Sequence, residues 1–196
     1  MRPKTGGKRD IYNRDVKDNR EQNLVQAASN GDADSFGRLC KRYYSAMVAI
    51  AYSHLADRGL AEDAAQEAFF VAFRDISKLK KAGHFGRWLA RISRNIASDM
   101  AKARKRDKLI PIENCDSVSS DEDKEDNNVE VVRRIISELP VKLREVIYLR
   151  YYDKMSYQQI SDILGISQEA VNGRLRRAKK LIAKKLILKG SVEVNL

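Results

Sequence analysis

The sequence contains few of the residues that cross-link a chain, bind metals or span a membrane. Its two cysteines, Cys40 and Cys115, lie far apart, and its two histidines, His54 and His84, complete neither a CxxC metal pair nor a disulfide framework. No apolar run is long enough for a membrane-spanning helix, and the first 20 residues lack the apolar core of a signal peptide. We therefore expect a cytoplasmic protein with no cofactor, no bound metal and no membrane insertion.

Proline and alternating strand patterns are also scarce. No proline lies between residues 5 and 110, and the apolar residues there recur at steps of three and four. An all-α fold is predicted, with helices from about Glu21 to Asn30, from Asp34 or Ser35 onward, and from Leu60 to Asp75. Its predicted core includes Phe36, Leu39, Cys40, Tyr43, Met47, Ile50 and Ala51, with Phe69, Phe70, Val71 and Phe73 inside or between helices.

Charge, in contrast, is abundant and divided into blocks. The formal net charge of +11 favours a polyanionic partner such as nucleic acid. Residues 113–130 reverse the sign with a net charge of −7, and their poor apolar periodicity is typical of a flexible linker. We predict a basic flexible extension (1–20), a helical domain (21–108), an acidic linker (109–129), a second helical domain (130–188) and a tail (189–196). The extension either touches DNA or is simply disordered.

Residues 156–188 have the layout of a helix-turn-helix. Ser156 and Gln159 form a capping-box pattern, Gly165 permits a sharp turn, and Ser167 can cap the second helix. That helix, predicted to begin at Gln168, has one apolar stripe and otherwise basic faces, which suits the major groove of DNA. A solvated basic helix or a coiled-coil strand is the alternative, but neither explains the capped helix and the glycine turn.

Two other segments carry candidate binding residues. Between Lys80 and Arg106, cations alternate with aromatic residues, a pattern typical of single-strand binding because bases stack on rings while cations hold the strand. The alternative is that Phe85 and Trp88 belong to the core. The predicted third helix has a polar face of acids and amides, which could indicate a metal or acid-base site, but no histidine completes a ligand set and exposed acidic faces are commoner.

Three motifs occur in a characteristic order across the acidic linker. They are AEDAAQEAFFVAFRDI (61–76), FGRWLARISRNIASDMAKARKR (85–106) and LPVKLREVIYLRYYDKMSYQQISDILGISQEAVNGRLRRAKKLIAKKL (139–186). Together they resemble a bacterial RNA polymerase sigma factor of the sigma-70 family, in the extracytoplasmic-function group. The resemblance covers about residues 34–106 and 130–188, and it implies a protein that binds core RNA polymerase and directs it to promoters.

The resemblance also assigns roles in the first domain. Asp63, Gln66 and Glu67 match the family's D-x-x-Q-E, which docks on the coiled coil of the β′ clamp. The loop and helix after Lys80 match the region that melts and reads the minus-10 element, with Asn95 at the position that contacts an unstacked base. The implied minus-10 residues are Phe85, Arg87, Trp88, Arg91, Arg94, Asn95, Lys102 and Arg104.

In the second domain, the resemblance implies reading of the minus-35 element as a duplex. Compared with the family pattern S-x-x-T-V-K-S-R-L-x-R-A, this chain departs at Ala170, Asn172 and Gly173, so no promoter sequence can be carried over. Asn172 and Arg176 are our preferred base readers, because Asn pairs bidentately with adenine and Arg with guanine. The implied minus-35 residues are Ser167, Gln168, Glu169, Asn172, Gly173, Arg174, Arg176, Arg177, Lys179 and Lys180, of which Arg174 could instead form a structural ion pair.

The predicted function is promoter-specific transcription initiation by a non-enzymatic sigma factor, with no catalytic residue. The expected partners are core RNA polymerase, through its β′ clamp and β subunits, promoter DNA, and an anti-sigma factor as a further candidate. By the same resemblance, the acidic linker would thread near the polymerase active-site cleft and mimic RNA. A stand-alone helix-turn-helix regulator would explain only the second domain. A recombinase or nuclease would use a tyrosine or a carboxylate pair, but no metal cluster supports a nuclease, and the available tyrosines lie on periodic helices and are expected to be packing residues: Tyr43, Tyr44, Tyr151 and Tyr152.

Overall fold

Helices make up all the regular structure in the described part of the computed structural model, which comprises residues 19–107 and 127–188. The first part contains α1 (19–29), α2 (Ala33–Leu55), α3 (Arg58–Asp75) and α4 (Phe85–Asp107), with short 3-10 turns at Ile76–Lys78 and Ala82–His84. The second part contains α5 (Asn127–Ser137), α6 (Val141–Ile147), a π-helical turn (Tyr148–Tyr152), α7 (Tyr157–Leu164) and α8 (Gln168–Leu188). The all-α prediction is confirmed. Residues 1–18 of the predicted extension, 109–126 of the predicted linker and the predicted tail lie outside the described residues, whereas residues 19–20 and 127–129 of those predicted segments are helical.

Local capping explains where the helices in the first part begin. Asp32 accepts a hydrogen bond from the backbone N–H of Asp34 at 3.1 Å and thereby caps α2. Asp57 accepts one from the backbone N–H of Leu60 at 3.1 Å, so α3 begins at Arg58, two residues before the predicted start. Gly31, at a φ of 97°, provides the turn between α1 and α2.

The first part is a helical unit in which α2, α3 and α4 pack against one another. Leu39, Met47, Ile50 and Leu89 are fully buried at its centre. The buried face of α3 is made largely of alanines, which allow close approach to its neighbours: Ala61, Ala64, Ala65, Ala68 and Ala72. The predicted core of α2 is confirmed except at Cys40, which is only half-buried.

The second part is built around α8, which contacts α5, α6 and α7. Ser156 and Gln159 form the predicted capping box, with the hydroxyl of Ser156 accepting from the backbone N–H of Gln159 at 3.2 Å. Gly165 ends α7 at a φ of 67°, as its place in the sequence predicted. The apolar stripe of α8 contributes Val171 and Leu175 to the core, so the helix-turn-helix is confirmed.

The two units also pack against each other. Helix α2 contacts α6 and the π-helical turn, and α4 contacts α7. The Tyr52 ring of α2 lies edge-on to the Tyr148 ring, with centroids 5.0 Å apart and planes at 90°. Buried residues of both units therefore belong to one contiguous core. Among the described helices, none has the length and apolar character needed to cross a membrane.

The contribution of the capping box at the start of α7 can be tested by mutation. Replacing Ser156 by Ala leaves a backbone N–H without its partner, so the free energy of unfolding should fall by about 1 kcal/mol in urea denaturation. Ser156→Asp keeps an acceptor at the cap and should lose much less. An unchanged free energy of unfolding in Ser156→Ala would show that the cap contributes nothing.

Candidate polymerase and nucleic-acid interfaces

The acidic surface of α3 is exposed along one stripe. Asp63, Gln66 and Glu67, at helical spacings of three and one, all face solvent. Phe70 continues the same stripe and is 63% exposed, and Phe73 is 49% exposed. The prediction that Phe70 lies inside or between helices is therefore wrong, because the alanine face of α3 fills the interior in its place. Phe73 does lie between helices, since its ring centroid is 5.0 Å from that of Phe36 on α2. This stripe, Asp63, Gln66, Glu67, Phe70 and Phe73, is called the α3 stripe below.

The beginning of α4 is anchored by aromatic packing. Phe85 is fully buried, with its ring centroid 5.6 Å from that of Tyr43 and 6.0 Å from that of Trp88. A Cβ at Gly86 would come within 2.8 Å of the Tyr43 ring, so only glycine allows this approach. The hydroxyl of Tyr43 donates to the Glu21 carboxylate at 2.6 Å. In this conformation Phe85 presents no surface to a nucleic acid, whereas Trp88 is half-buried.

The polar side of α4 is divided between solvent and the second unit. Arg91 and Asn95, four residues apart, are exposed, as are Lys102 and Arg104 near the end of the helix. Lys102 pairs with Asp99 at 3.0 Å and Arg104 lies 3.6 Å from Asp57, and such exposed pairs contribute little to stability. These four minus-10 candidates are accessible in the structure.

Two other minus-10 candidates face the helix-turn-helix unit. The Nε atom of Arg94 donates to Oε1 of Glu145, on α6, at 2.6 Å. Arg87 is exposed, but its guanidinium lies over the turn between α7 and α8, where a Cβ at Gly165 would come within 2.8 Å of its Nε atom. The absence of a side chain at Gly165 thus allows both the left-handed turn and the close approach of Arg87.

Glu145 is enclosed at this contact between the units. Its side chain is 5% exposed, and Nε2 of His54 lies 3.6 Å from the oxygen that accepts from Arg94. Burial alone would raise the pKa of Glu145, but the neighbouring His54 and Arg94 hold that pKa below its ordinary value. This residue was not predicted from the sequence, although the apolar residues that follow it, Val146, Ile147 and Leu149, were a signal of a buried acid.

The recognition helix α8 leaves its predicted DNA-facing residues accessible. Asn172, Gly173 and Arg176 are exposed, and no atom lies within 4 Å of a Cβ placed on Gly173. Arg174 is half-buried. A depression of about 550 Å³ on this surface is lined by Gly173, Arg176, Arg177, Lys179 and Lys180.

At the start of α8, several residues predicted to contact DNA also form hydrogen bonds within the protein. The hydroxyl of Ser167 accepts from the backbone N–H of Ala170 at 3.2 Å and so caps the helix. Gln168 donates to the side chain of Gln158 on α7 at 2.6 Å. Glu169 is exposed, and hydrogen bonds from its own backbone and from Ser167 lower its pKa. The turn is therefore held in shape by residues that also lie on the proposed DNA side.

Comparison with known proteins places both units in one family. Residues 39–107 match the family model "Sigma-70 region 2", and residues 130–182 match "Sigma-70, region 4". The ECF RNA polymerase sigma-E factor of Escherichia coli K12 is 31% identical over 182 residues, which cover 85% of this chain and 94% of that protein. The probable RNA polymerase sigma factor RfaY of Xanthomonas campestris is 30% identical over 82% of this chain, but the match spans only 42% of that longer protein.

Solved structures show the same fold. CnrH, in complex with the cytosolic domain of CnrY, superposes with a TM-score of 0.61 at 25% identity, covering 86% of this chain and 97% of CnrH. The sigma factor RpoE of Bartonella quintana, in complex with the anti-sigma factor NepR, gives a TM-score of 0.56 at 20% identity, covering 79% of this chain and 98% of that one.

The chain belongs to the sigma-70 family of bacterial RNA polymerase sigma factors, in the ECF group. It acts in promoter-specific transcription initiation with RNA polymerase as its partner. A stand-alone helix-turn-helix regulator is not favoured, because the match includes region 2 as well as the helix-turn-helix.

The buried Glu145 predicts a specific acid sensitivity. Because its pKa is lower in the folded chain than in the unfolded one, its stabilisation is present above the ordinary value of 4.5 and is lost as the pH falls through the folded-state pKa. Wild-type protein should therefore lose more unfolding free energy between about pH 5 and pH 3 than Glu145→Gln does, as measured by urea denaturation at each pH. Parallel pH profiles would contradict the assigned ion pair.

Proposed function

We propose that the α3 stripe is the surface that docks on the clamp of core RNA polymerase. The observation that supports this most directly is its composition: two acids and an amide lie beside two exposed phenylalanines on one helix face. Exposed aromatic side chains flanked by charge are typical of protein interfaces. The acids give orientation through electrostatic attraction to a basic partner, and Phe70 and Phe73 supply the apolar area.

The exposed side of α4 is proposed to bind the opened non-template strand at the minus-10 element. Asn95 would contact the unstacked base, with Arg91, Lys102 and Arg104 holding phosphates. Extruding a base costs a few kcal/mol, which charge and a pocket must offset. Phe85 is assigned a supporting part, because it fixes the start of the helix from within the core. Half-buried Trp88 would be the aromatic residue that contacts the strand.

Region 4 is proposed to read the minus-35 element as a duplex. Asn172 and Arg176, both exposed on α8, would reach base edges, and the open space at Gly173 lets the backbone approach the groove closely. The cations that line the depression would contact phosphates: Arg177, Lys179 and Lys180. Half-buried Arg174 would support the helix, and the start of α8 would contact the backbone of the DNA through Ser167, Gln168 and Glu169.

The wider role follows from these surfaces. The chain is proposed to act in the cytoplasm by binding alone, with no catalytic residue, no cofactor and no metal. An anti-sigma factor is a proposed partner, since RpoE of Bartonella quintana was solved with the anti-sigma factor NepR. The acidic linker, which lies outside the described residues, is proposed to pass near the polymerase active-site cleft. The division into domains at 21–108 and 130–188 is kept as part of this proposal.

Run-off transcription tests the polymerase surface. With core polymerase and a genomic fragment library, transcripts should start downstream of a shared two-part element. Changing Asp63, Gln66 and Glu67 together to Ala should lower this signal about tenfold or more, the effect of about 1.4 kcal/mol of lost binding. Asp34→Ala with Glu130→Ala removes the same number of exposed acids elsewhere and should leave transcription unchanged. Full activity of the triple variant would refute the assigned surface.

A second test separates base reading from phosphate contact on α8. Arg176→Ala should lose about 1–3 kcal/mol of discrimination at one base pair of the upstream element. Lys180→Ala should weaken duplex binding equally for all sequences and reduce the slope of log K against log salt by about 1. Anisotropy titrations with single-base variants of the mapped element measure both. If both variants changed base discrimination and salt dependence in the same way, the assignment of Arg176 to base reading and Lys180 to phosphate contact would be contradicted.

A further inference from the structure

Three polar side chains form a chain of hydrogen bonds across the turn of the helix-turn-helix. On α7, the side-chain amide of Gln158 donates to the carboxylate of Asp162, four residues later, at 2.8 Å. The amide oxygen of Gln158 accepts from the side-chain amide of Gln168, the first residue of α8, at 2.6 Å. The hydrogen bonds therefore connect an acid on α7 to the start of the recognition helix.

The acid fixes the direction of both hydrogen bonds. A carboxylate only accepts, so the amide nitrogen of Gln158 must face Asp162 and its amide oxygen must face away. That oxygen also only accepts, so Gln168 must turn its amide nitrogen toward Gln158. The nitrogen of Gln168 is thereby engaged within the protein, and its oxygen, Oε1, lies on the opposite side of the amide.

Gln168 lies on the face of α8 that carries the preferred base readers. Gln168, Asn172 and Arg176 follow one another at steps of four, which places them along one side of the helix, and all three are exposed. The N-terminal residues of a recognition helix are those that contact base edges in the major groove. The oriented amide is therefore placed where α8 would meet a base edge.

An amide oxygen held in one orientation selects bases by their exocyclic groups. In the major groove, adenine and cytosine present an amino group that donates, whereas guanine and thymine present a carbonyl oxygen that accepts. Oε1 of Gln168 can pair with the first two bases, but with the others it would place two acceptors against each other without a donor. A glutamine that rotates freely lacks this selectivity, because it can turn its N–H groups to the carbonyl bases instead.

We propose that Gln168 is a specificity-determining residue of the minus-35 contact, and that Gln158 and Asp162 orient its amide so that it selects an amino-bearing base, adenine or cytosine. This goes beyond the contact with the DNA backbone assigned to Gln168 above, and it rests on the proposal that region 4 reads the minus-35 element as a duplex. Gln158 and Asp162 are positioning residues, since they act only through Gln168. Specificity then combines attraction to the correct base with repulsion of the wrong one.

The surroundings of the three side chains help to keep the amide in place. Gln158, in the middle, is half-buried, whereas Asp162 and Gln168 are exposed. A glutamine already bound to Asp162 has lost rotational freedom, so it holds Gln168 at a lower cost in entropy than a mobile side chain would. Capping at Ser156 and Ser167 also fixes the backbone of the first turns of α7 and α8.

Anisotropy competition with the full chain measures the affinity for the mapped upstream duplex and for each of its single-base variants. In wild type, one base pair should show about a tenfold preference for an amino-bearing base, and Gln168→Ala should lose that preference alone. At that position the base is then replaced by its analogue without the amino group, purine for adenine or 2-pyrimidinone for cytosine. This change should cost wild type about the same factor and cost Gln168→Ala nothing.

Two substitutions of Gln158 separate the orientation of Gln168 from the packing of α7 on α8. Gln158→Leu keeps a side chain of similar size but removes the acceptor, so Gln168 can rotate and the preference should fall from about tenfold to about twofold. Gln158→Glu keeps an acceptor toward Gln168 and should retain the tenfold preference, although its negative charge weakens binding to every duplex alike. Gln26→Ala, which removes an exposed glutamine of α1, is the control and should match wild type.

Asp162→Lys tests the direction of the hydrogen bonds. A lysine only donates, so Gln158 would turn its oxygen to position 162 and its amide nitrogen to Gln168, whose own nitrogen would then face outward. The preference for an amino-bearing base should therefore be lost or shift toward guanine or thymine. The preferences at the base pairs read by Asn172 and Arg176 should stay the same in this variant and in both Gln158 variants.

A full preference for an amino-bearing base in Gln158→Leu or in Asp162→Lys would overturn the proposal, and so would equal losses in Gln158→Leu and Gln158→Glu. The base analogues test the choice of base on wild-type protein, so that result does not depend on the folding of a variant. If Gln168→Ala keeps every base preference while Asn172→Ala loses one, the role of Gln168 is refuted and the reading of the minus-35 element stands. If wild type shows no base preference on the duplex, the proposed function of region 4 itself fails.

Discussion

The enclosed carboxylate of Glu145 is the interaction on which the arrangement of the described units depends. A carboxylate at 5% exposure is stable as an anion only if cations and donors replace its lost water, and here Arg94 and His54, both on the first unit, lie beside it. The buried carboxylate of Glu145, in the second unit, is thus stabilised as an anion by residues of the first unit. The edge contact of Tyr52 with Tyr148 places apolar area beside that charge.

The helical period determines which residues are left for binding. On α3, five alanines and Phe69 turn inward and the acids turn outward, so Phe70 remains at the surface. On α8, Val171, Leu175 and Ala178 form the buried stripe, and the exposed faces carry closely spaced cations that repel one another in water: Arg176, Arg177, Lys179, Lys180 and Lys184. Such a surface is most stable when phosphate neutralises it, so the packing of the helix and its affinity for DNA have the same origin.

Much of this was predictable from the sequence because it is local. The capping box at Ser156, the left-handed turn at Gly165 and the start of α8 depend on residues within one turn of each other, and all were predicted correctly. The exposure of Phe70 was missed because hydrophobicity alone does not reveal that alanines already fill the interior of α3. Glu145 was missed for a similar reason, since its partners lie 51 and 91 residues away and no local pattern connects them.

The two proposed DNA surfaces place different physical demands on the protein. Reading a duplex requires a rigid helix whose side chains are already in place, and α8 meets that condition with its cap, its turn and its buried stripe. Binding an opened strand instead carries the additional cost of unstacking a base, a few kcal/mol that the exposed cations of α4 must help to offset. Arg91, Lys102 and Arg104 are exposed for that proposed role, whereas Arg94 is held by Glu145 and contributes to the packing of the two units. The two proposed DNA surfaces therefore meet different costs: the order of the protein helix for α8, and the unstacking of the DNA itself for α4.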